Sequence, residues 1–160
     1  MKLLINLIRL LLLSTITLHN GCSLQEGEAR VEMISNSEIA HARWVSLHYE
    51  NYQFTAELQC FCLPQTRTPR TIIIRLNKVQ SAPNLPSEIN RSIDDWFTLL
   101  ASYRQKRLSE SSQAKVFASF HSHNGFPKRI SIDPHPRIAD DEFTVVFKDF
   151  RPLEKSDLLE

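Results

Sequence analysis

Alternation of apolar and polar positions is sharpest over residues 52–62, Y-Q-F-T-A-E-L-Q-C-F-C. Tyr52, Phe54, Ala56, Leu58, Cys60 and Cys62 share one parity, whereas Gln53, Thr55, Glu57 and Gln59 take the other. A period of two over this length predicts a half-buried strand with its apolar side inward. Upstream, Ala40, Trp44 and Leu47 recur at helical spacing, on a helix capped by Ser37 and ending near Asn51. Downstream, the loop Leu63–Pro69 precedes a second strand, Thr71–Val79, with Ile72, Ile74 and Leu76 on one face. Pro83 and Pro86 then break the pattern.

Ser92 followed by Asp95 is a variant of the capping box, and it opens a second helix with Ile93, Trp96, Phe97 and Leu100 as its inward stripe. Lys106–Gln113 reads as a polar exit. Three more strands follow, marked by Val116, Ala118 and Phe120, by Ile130 and Ile132, and by Phe143, Val145 and Phe147. Asn124-Gly125 signals a hairpin between the first two, since both residues accept positive φ. The tail from Arg151 reads as frayed. The expected fold class is α+β: an antiparallel sheet of about five strands with two helices on one face, in the order α-β-β-α-β-β-β.

The N-terminus changes the picture by supplying an address. Lys2 and Arg9 precede a nine-residue apolar run, Leu10–Leu18, too short to span a bilayer and suited to a secretory signal peptide. Gly21-Cys22 follows it and resembles the lipobox of bacterial lipoproteins, with His19 where such a box usually carries Leu. The expected organisation is a signal peptide over 1–21, a tether over 22–36, one domain over 37–152 and a tail over 153–160. Cys22 is the expected lipidation site, and the lipid the expected link to a membrane. Ser23 is the residue type associated with outer-membrane sorting in Gram-negative bacteria, which places the domain on the periplasmic face.

Without residues 1–21 the chain keeps 17 basic and 18 acidic side chains, a charge of −1, and no basic stripe stands out. Nucleic acid is therefore not an expected partner. Cys60 and Cys62 would be the only thiols left, in a compartment that favours oxidation. Two residues of straight strand advance about 6.6–6.8 Å, the upper edge of what a disulfide tolerates. A Cys60–Cys62 bridge therefore requires a bend, for which Pro64 offers a cause.

Three clusters could carry chemistry. The Cys60/Cys62 pair lacks the basic neighbours of a reactive thiolate and supplies half of a zinc site, so it reads as structural. His121 and His123 put two imidazoles on one side of a strand, with His135 in the next connection. Their parity points to solvent, and no metal is assigned. Asp133, Asp140, Asp141 and Glu142 gather acid without the spacing of a calcium loop, and they read as a solvated structural turn. No nucleophile elbow, zincin motif or phosphate loop is present in the sequence.

In order, Trp44, Tyr52, Phe54, C-F-C-L-P at 60–64, I-D-D-W-F at 93–97, G-F-P at 125–127, I-S-I-D at 130–133 and A-D-D-E-F at 139–143 resemble an uncharacterised bacterial lipoprotein family. The resemblance spans Ala42–Phe150, implies export, lipidation and the fold outline, and brings no reaction with it. Members of that family tend to carry Asp where His121 stands. Recurrence of D-D-E implies a structural task for the acidic turn, such as accepting backbone N–H bonds. The expected function is a non-catalytic binding module that meets an envelope protein or ligand and needs no cofactor. The alternative is a redox or metal-linked protein using Cys60 and Cys62.

Overall fold

A computed structural model describes residues 36–80, 84–108 and 113–154. Cys22, the apolar leader and the tether lie outside the described residues. Within them, α1 covers 36–46, followed by β1 (Tyr52–Cys60), a 3-10 turn (Pro64–Arg67), β2 (Arg70–Arg75) and β3 (Lys78–Val79). After these come α2 (Ile93–Leu108), β4 (Lys115–Phe120), β5 (Pro127–Asp133) and β6 (Phe143–Pro152). The strands form a single antiparallel sheet in the order β3-β2-β1-β6-β5-β4.

The α+β class is as expected, but the sheet has six strands rather than about five, and the order is α-β-β-β-α-β-β-β. The extra strand arises inside the expected Thr71–Val79. Leu76 and Asn77 both have positive φ, 49° and 60°, and turn the chain so that Arg75 pairs with Lys78. Two positive-φ residues between paired strands make the tight hairpin usually given to Asn-Gly, and a leucine there is costly. Backbone anchors hold the turn: the Leu76 amide donates to Asn51 Oδ1 at 3.0 Å and the Asn77 amide to the Glu50 carbonyl at 2.9 Å. Leu76, expected beside Ile72 and Ile74 in the core, is instead 70% exposed.

One face of the sheet is covered. Tyr52, Phe54, Ala56 and Leu58 of β1 are buried together with Ile72, Ile74, Ile130, Ile132, Val145 and Phe147. The same cluster takes Ala40 and Trp44 from α1 and Ile93, Trp96, Phe97 and Leu100 from α2, so both helices lie over this face. The Ser92/Asp95 cap forms in both directions. The Asp95 amide donates to Ser92 Oγ at 3.1 Å, and Asp95 Oδ2 accepts from the Ser92 amide at 2.9 Å.

Several boundaries differ from the sequence pattern. Ser37 lies inside α1, and Leu47 sits in the turn after it, 41% exposed. Lys106–Leu108 still belong to α2. Arg151 is paired with Gln53, and the Leu153 amide reaches the Asn51 carbonyl at 3.0 Å, so this end of β6 is tied down. A bulge in β6 explains a core residue that parity hides. Asp149, at φ 53°, and Phe150 together stand opposite Phe54, which turns Phe150 inward where strict alternation would send it out. Phe150 then meets Trp44 at 5.5 Å and Phe126 at 4.9 Å between ring centroids.

Gly125 brings the β4–β5 connection against α1. It has φ +75°, and a Cβ built on it would overlap the Ala40 carbonyl oxygen. Gly125→Ala should therefore destabilise the domain by roughly 2–5 kcal/mol, from left-handed strain and overpacking together. Trp96→Ala should cost about 3–5 kcal/mol, as for other buried aromatics. Denaturant midpoints at constant m-value check both, and a near-neutral Gly125→Ala would contradict this packing.

Candidate functional site

The ends of β1, β5 and β6 meet at one edge of the domain. Cys60 pairs with Phe143, Phe143 with Ile132, and the neighbouring Asp133 with Lys115. The loops that leave Cys60 and Asp133 therefore start side by side.

At the first of these loops the strand stops at Cys60 and bends. The Cα atoms of Cys60 and Cys62 lie 5.3 Å apart, shorter than straight strand allows, and their sulfurs are within bonding reach. Cys60 packs against the core and Cys62 is half-buried. Phe61 between them is 82% exposed, and Leu63 is 63% exposed. A bridge across two residues closes almost no loop, so its effect lies in fixing the bend rather than in chain entropy.

The second loop carries the acidic residues, and the structure divides them. Asp140 and Glu142 are exposed, whereas Asp133 and Asp141 are half-buried. His135 Nδ1 lies 2.8 Å from Asp141 Oδ2, and the Ile138 amide donates to the His135 carbonyl at 2.7 Å. Asp140 adopts φ +74°. Asp133 Oδ1 and Asp141 Oδ1 are buried with no hydrogen-bond partner. A buried acceptor left unpaired costs about 1–3 kcal/mol, so the loop carries a local polar cost at these two oxygens.

Above this loop, on the uncovered face of the sheet, lies a groove of about 560 Å³. Phe117, Ile138, Lys115, Arg137, Asp133 and Glu142 line it, a mixture of apolar side chains and both charges. Phe117 and Ile138 are 56% and 55% exposed. Beneath them Ser131 Oγ and Thr144 Oγ1 bond each other at 2.7 Å, so the partner of each hydroxyl is a hydroxyl rather than a base. Strand β4 bounds the sheet on this side, with β5 as its neighbour.

Of the three candidate histidines only His135 is brought to this site. His121 and His123 lie in the β4–β5 connection with ring centroids 5.7 Å apart, while His135 is engaged with Asp141. Burial, then the charges of Lys128 and His123, hold the His121 imidazole below its usual pKa. Among the described residues no three His, Cys, Asp or Glu side chains are grouped to hold a metal ion.

Two polar features escaped the sequence pattern. The Tyr52 hydroxyl, on a fully buried ring, accepts the Ile93 amide at 3.0 Å and so joins β1 to the first turn of α2. The signal was a tyrosine at an inward strand position, whose hydroxyl must find a partner once buried. Trp44, Tyr49, Glu50 and Asp94 line a smaller cleft of about 170 Å³. Burial raises the Asp94 carboxyl above the usual range, opposed by His41 and a hydrogen bond from Trp44.

An α+β domain with one helix-covered sheet face and a groove on the other defines the class. Residues 36–152 match DUF6174, a family of unknown function, and the chain belongs to it. No curated protein and no solved structure matches the chain.

Burial raises the Tyr52 phenol well above its ordinary value, against the Ile93 amide bond and reinforced by Asp94 and Asp95. A raised acid is stabilised in its protonated form. Its contribution is complete below the unfolded value near 10 and is lost as pH rises from there toward the folded value. Tyr52→Phe should cost about 1–3 kcal/mol at neutral pH by orphaning the Ile93 amide. The difference from wild type should shrink above pH 10, read from denaturation at stepped pH; a constant difference would contradict the burial-raised pKa, and no loss at neutral pH would contradict the bond.

Proposed function

We propose that the chain is a bacterial cell-envelope lipoprotein, anchored through Cys22, whose domain is a non-catalytic binding module. The groove on the uncovered face carries this reading. Its apolar walls and opposed charges, the Glu142 carboxylate among them, suit a segment of another protein, which brings backbone donors and apolar side chains together. Edge strand β4 offers backbone groups along the same margin. The hydroxyl pair at the groove floor supports binding over acyl transfer, because neither oxygen is set against a general base. The lipobox-like Gly21-Cys22 and the preceding apolar run support the anchor, and Ser23 supports the outer-membrane periplasmic face as the location in a Gram-negative cell.

Photo-crosslinkers placed at Phe117 and at Thr55, both on the uncovered face, test the groove in living cells. An envelope-protein adduct at position 117 and none at 55 is the expected result. Equal labelling at both positions, or none at either, would remove the groove from the account. Cys22→Ala should abolish the acylated mass and release the chain from the membrane fraction; a wild-type mass lacking acyl chains would overturn the anchor.

The second reading, a redox role for Cys60 and Cys62, draws on their position at an exposed end of the sheet. It requires reversible cycling in a dithiol buffer. Alkylation with mass read-out should show a fixed oxidation state under the binding-module reading, and cycling within the range of periplasmic oxidants would favour the redox reading instead.

A further inference from the structure

The C-F-C bend exposes apolar side chains that are followed along the chain by basic ones. Phe61 and Leu63 are largely exposed, and the 3-10 turn behind them is closed by the Thr66 amide donating to the Leu63 carbonyl at 2.9 Å. Arg67 and Arg70 are exposed immediately after it. From Leu58 through Gln80 every charged side chain is basic: Arg67, Arg70, Arg75 and Lys78. The acids of this end of the domain lie on the loop after Asp133, which starts beside the bend across β6.

We propose that this bend is a lipid-contacting tip, in which Phe61 and Leu63 enter an anionic bilayer while Arg67 and Arg70 meet its headgroups. The proposal rests on the reading that the chain is held at a membrane through Cys22. Two projecting side chains bury far less than the roughly 800 Å² per partner of a stable protein interface, but they suit a deformable apolar surface. The short spacing of Cys60 and Cys62 and the closed turn at Pro64 hold the side chains outward before contact, which limits the ordering cost. Arginine stems can lie along the acyl boundary with their guanidinium groups at the phosphates. The anchor makes the second contact intramolecular, so a shallow insertion suffices to orient the domain.

The test uses the full chain reconstituted in vesicles of brominated phosphatidylcholine, with and without phosphatidylglycerol. Trp44 and Trp96 are 2% and 1% exposed and supply a constant background. Phe61→Trp adds a reporter at the tip, and Val45→Trp adds one on the exposed side of α1. The expected result is bromine quenching of Phe61→Trp in anionic vesicles, with Val45→Trp unquenched. Adding Arg67→Gln and Arg70→Gln should lower the inserted-to-free ratio about 25-fold, roughly five-fold for each cation at an anionic surface. Quenching of Phe61→Trp no greater than that of Val45→Trp would overturn the proposal, as would a tip that cross-links to protein and is not quenched. Insertion unaffected by the arginine changes or by the anionic lipid would overturn its electrostatic half. Intact mass of the same sample reports the lipid at Cys22 separately, so a missing anchor and a missing tip contact give different results.

Discussion

Pairing of the first strand with the last is the constraint on which the structure depends. β1 lies between β2 and β6, and its register with β6 runs from Tyr52 opposite Pro152 to Cys60 opposite Phe143. Without that seam the β1–β2–β3 unit and the β4–β5–β6 meander would be two sheets, each with a raw edge. Closing it brings together residues about ninety positions apart, an entropic cost that only burial of the central apolar face offsets. The aromatic side chains along the seam, Tyr52, Phe54, Phe147 and Phe150, are the material of that burial. Tyr52 ties the seam to the helix above it by accepting the Ile93 amide.

The same constraint determines where a partner can bind. Two helices occupy the apolar face, so the face carrying Gln53, Thr55, Glu57 and Lys148 stays open and polar. Lys148 Nζ and Glu57 Oε2 pair across it at 2.9 Å, each drawing the other's pKa toward the charged state, as suits an exposed ladder with little weight in stability. Ile73 and Val146 interrupt this face singly, and larger exposed apolar side chains gather near its far margin, at Phe117 and Ile138, beside the loop with the unpaired Asp133 and Asp141 oxygens. The open face therefore has a chemically distinct end, and the exposed C-F-C bend leaves β1 next to it.

Much of this was legible from periodicity. The inward stripe of β1, the stripe of α2 and its Ser92/Asp95 cap are local patterns, and each appears as its spacing implies. Features set by backbone geometry were not legible. Leu76-Asn77 makes a hairpin without glycine because Asn51 and Glu50, distant in sequence, hold it. Phe150 enters the core because the Asp149 bulge resets the alternation, which no side-chain pattern reveals. The site was legible in pieces only. The cysteine bend and the acidic turn could be read separately, but their adjacency follows from the β1–β6–β5 order. The groove depends on Phe117, an outward residue that a core-seeking pattern passes over.

Native-state hydrogen exchange across the two sides of the seam tests the central claim most directly. If β1–β6 pairing closes the fold, the protected amides of both strands exchange only through global unfolding and report the same free energy. The two-residue β3 and the edge strand β4 should open at lower free energies. Protection of β6 that falls to the level of β3 while β1 remains protected would show that the domain holds together without the seam, and would contradict this account.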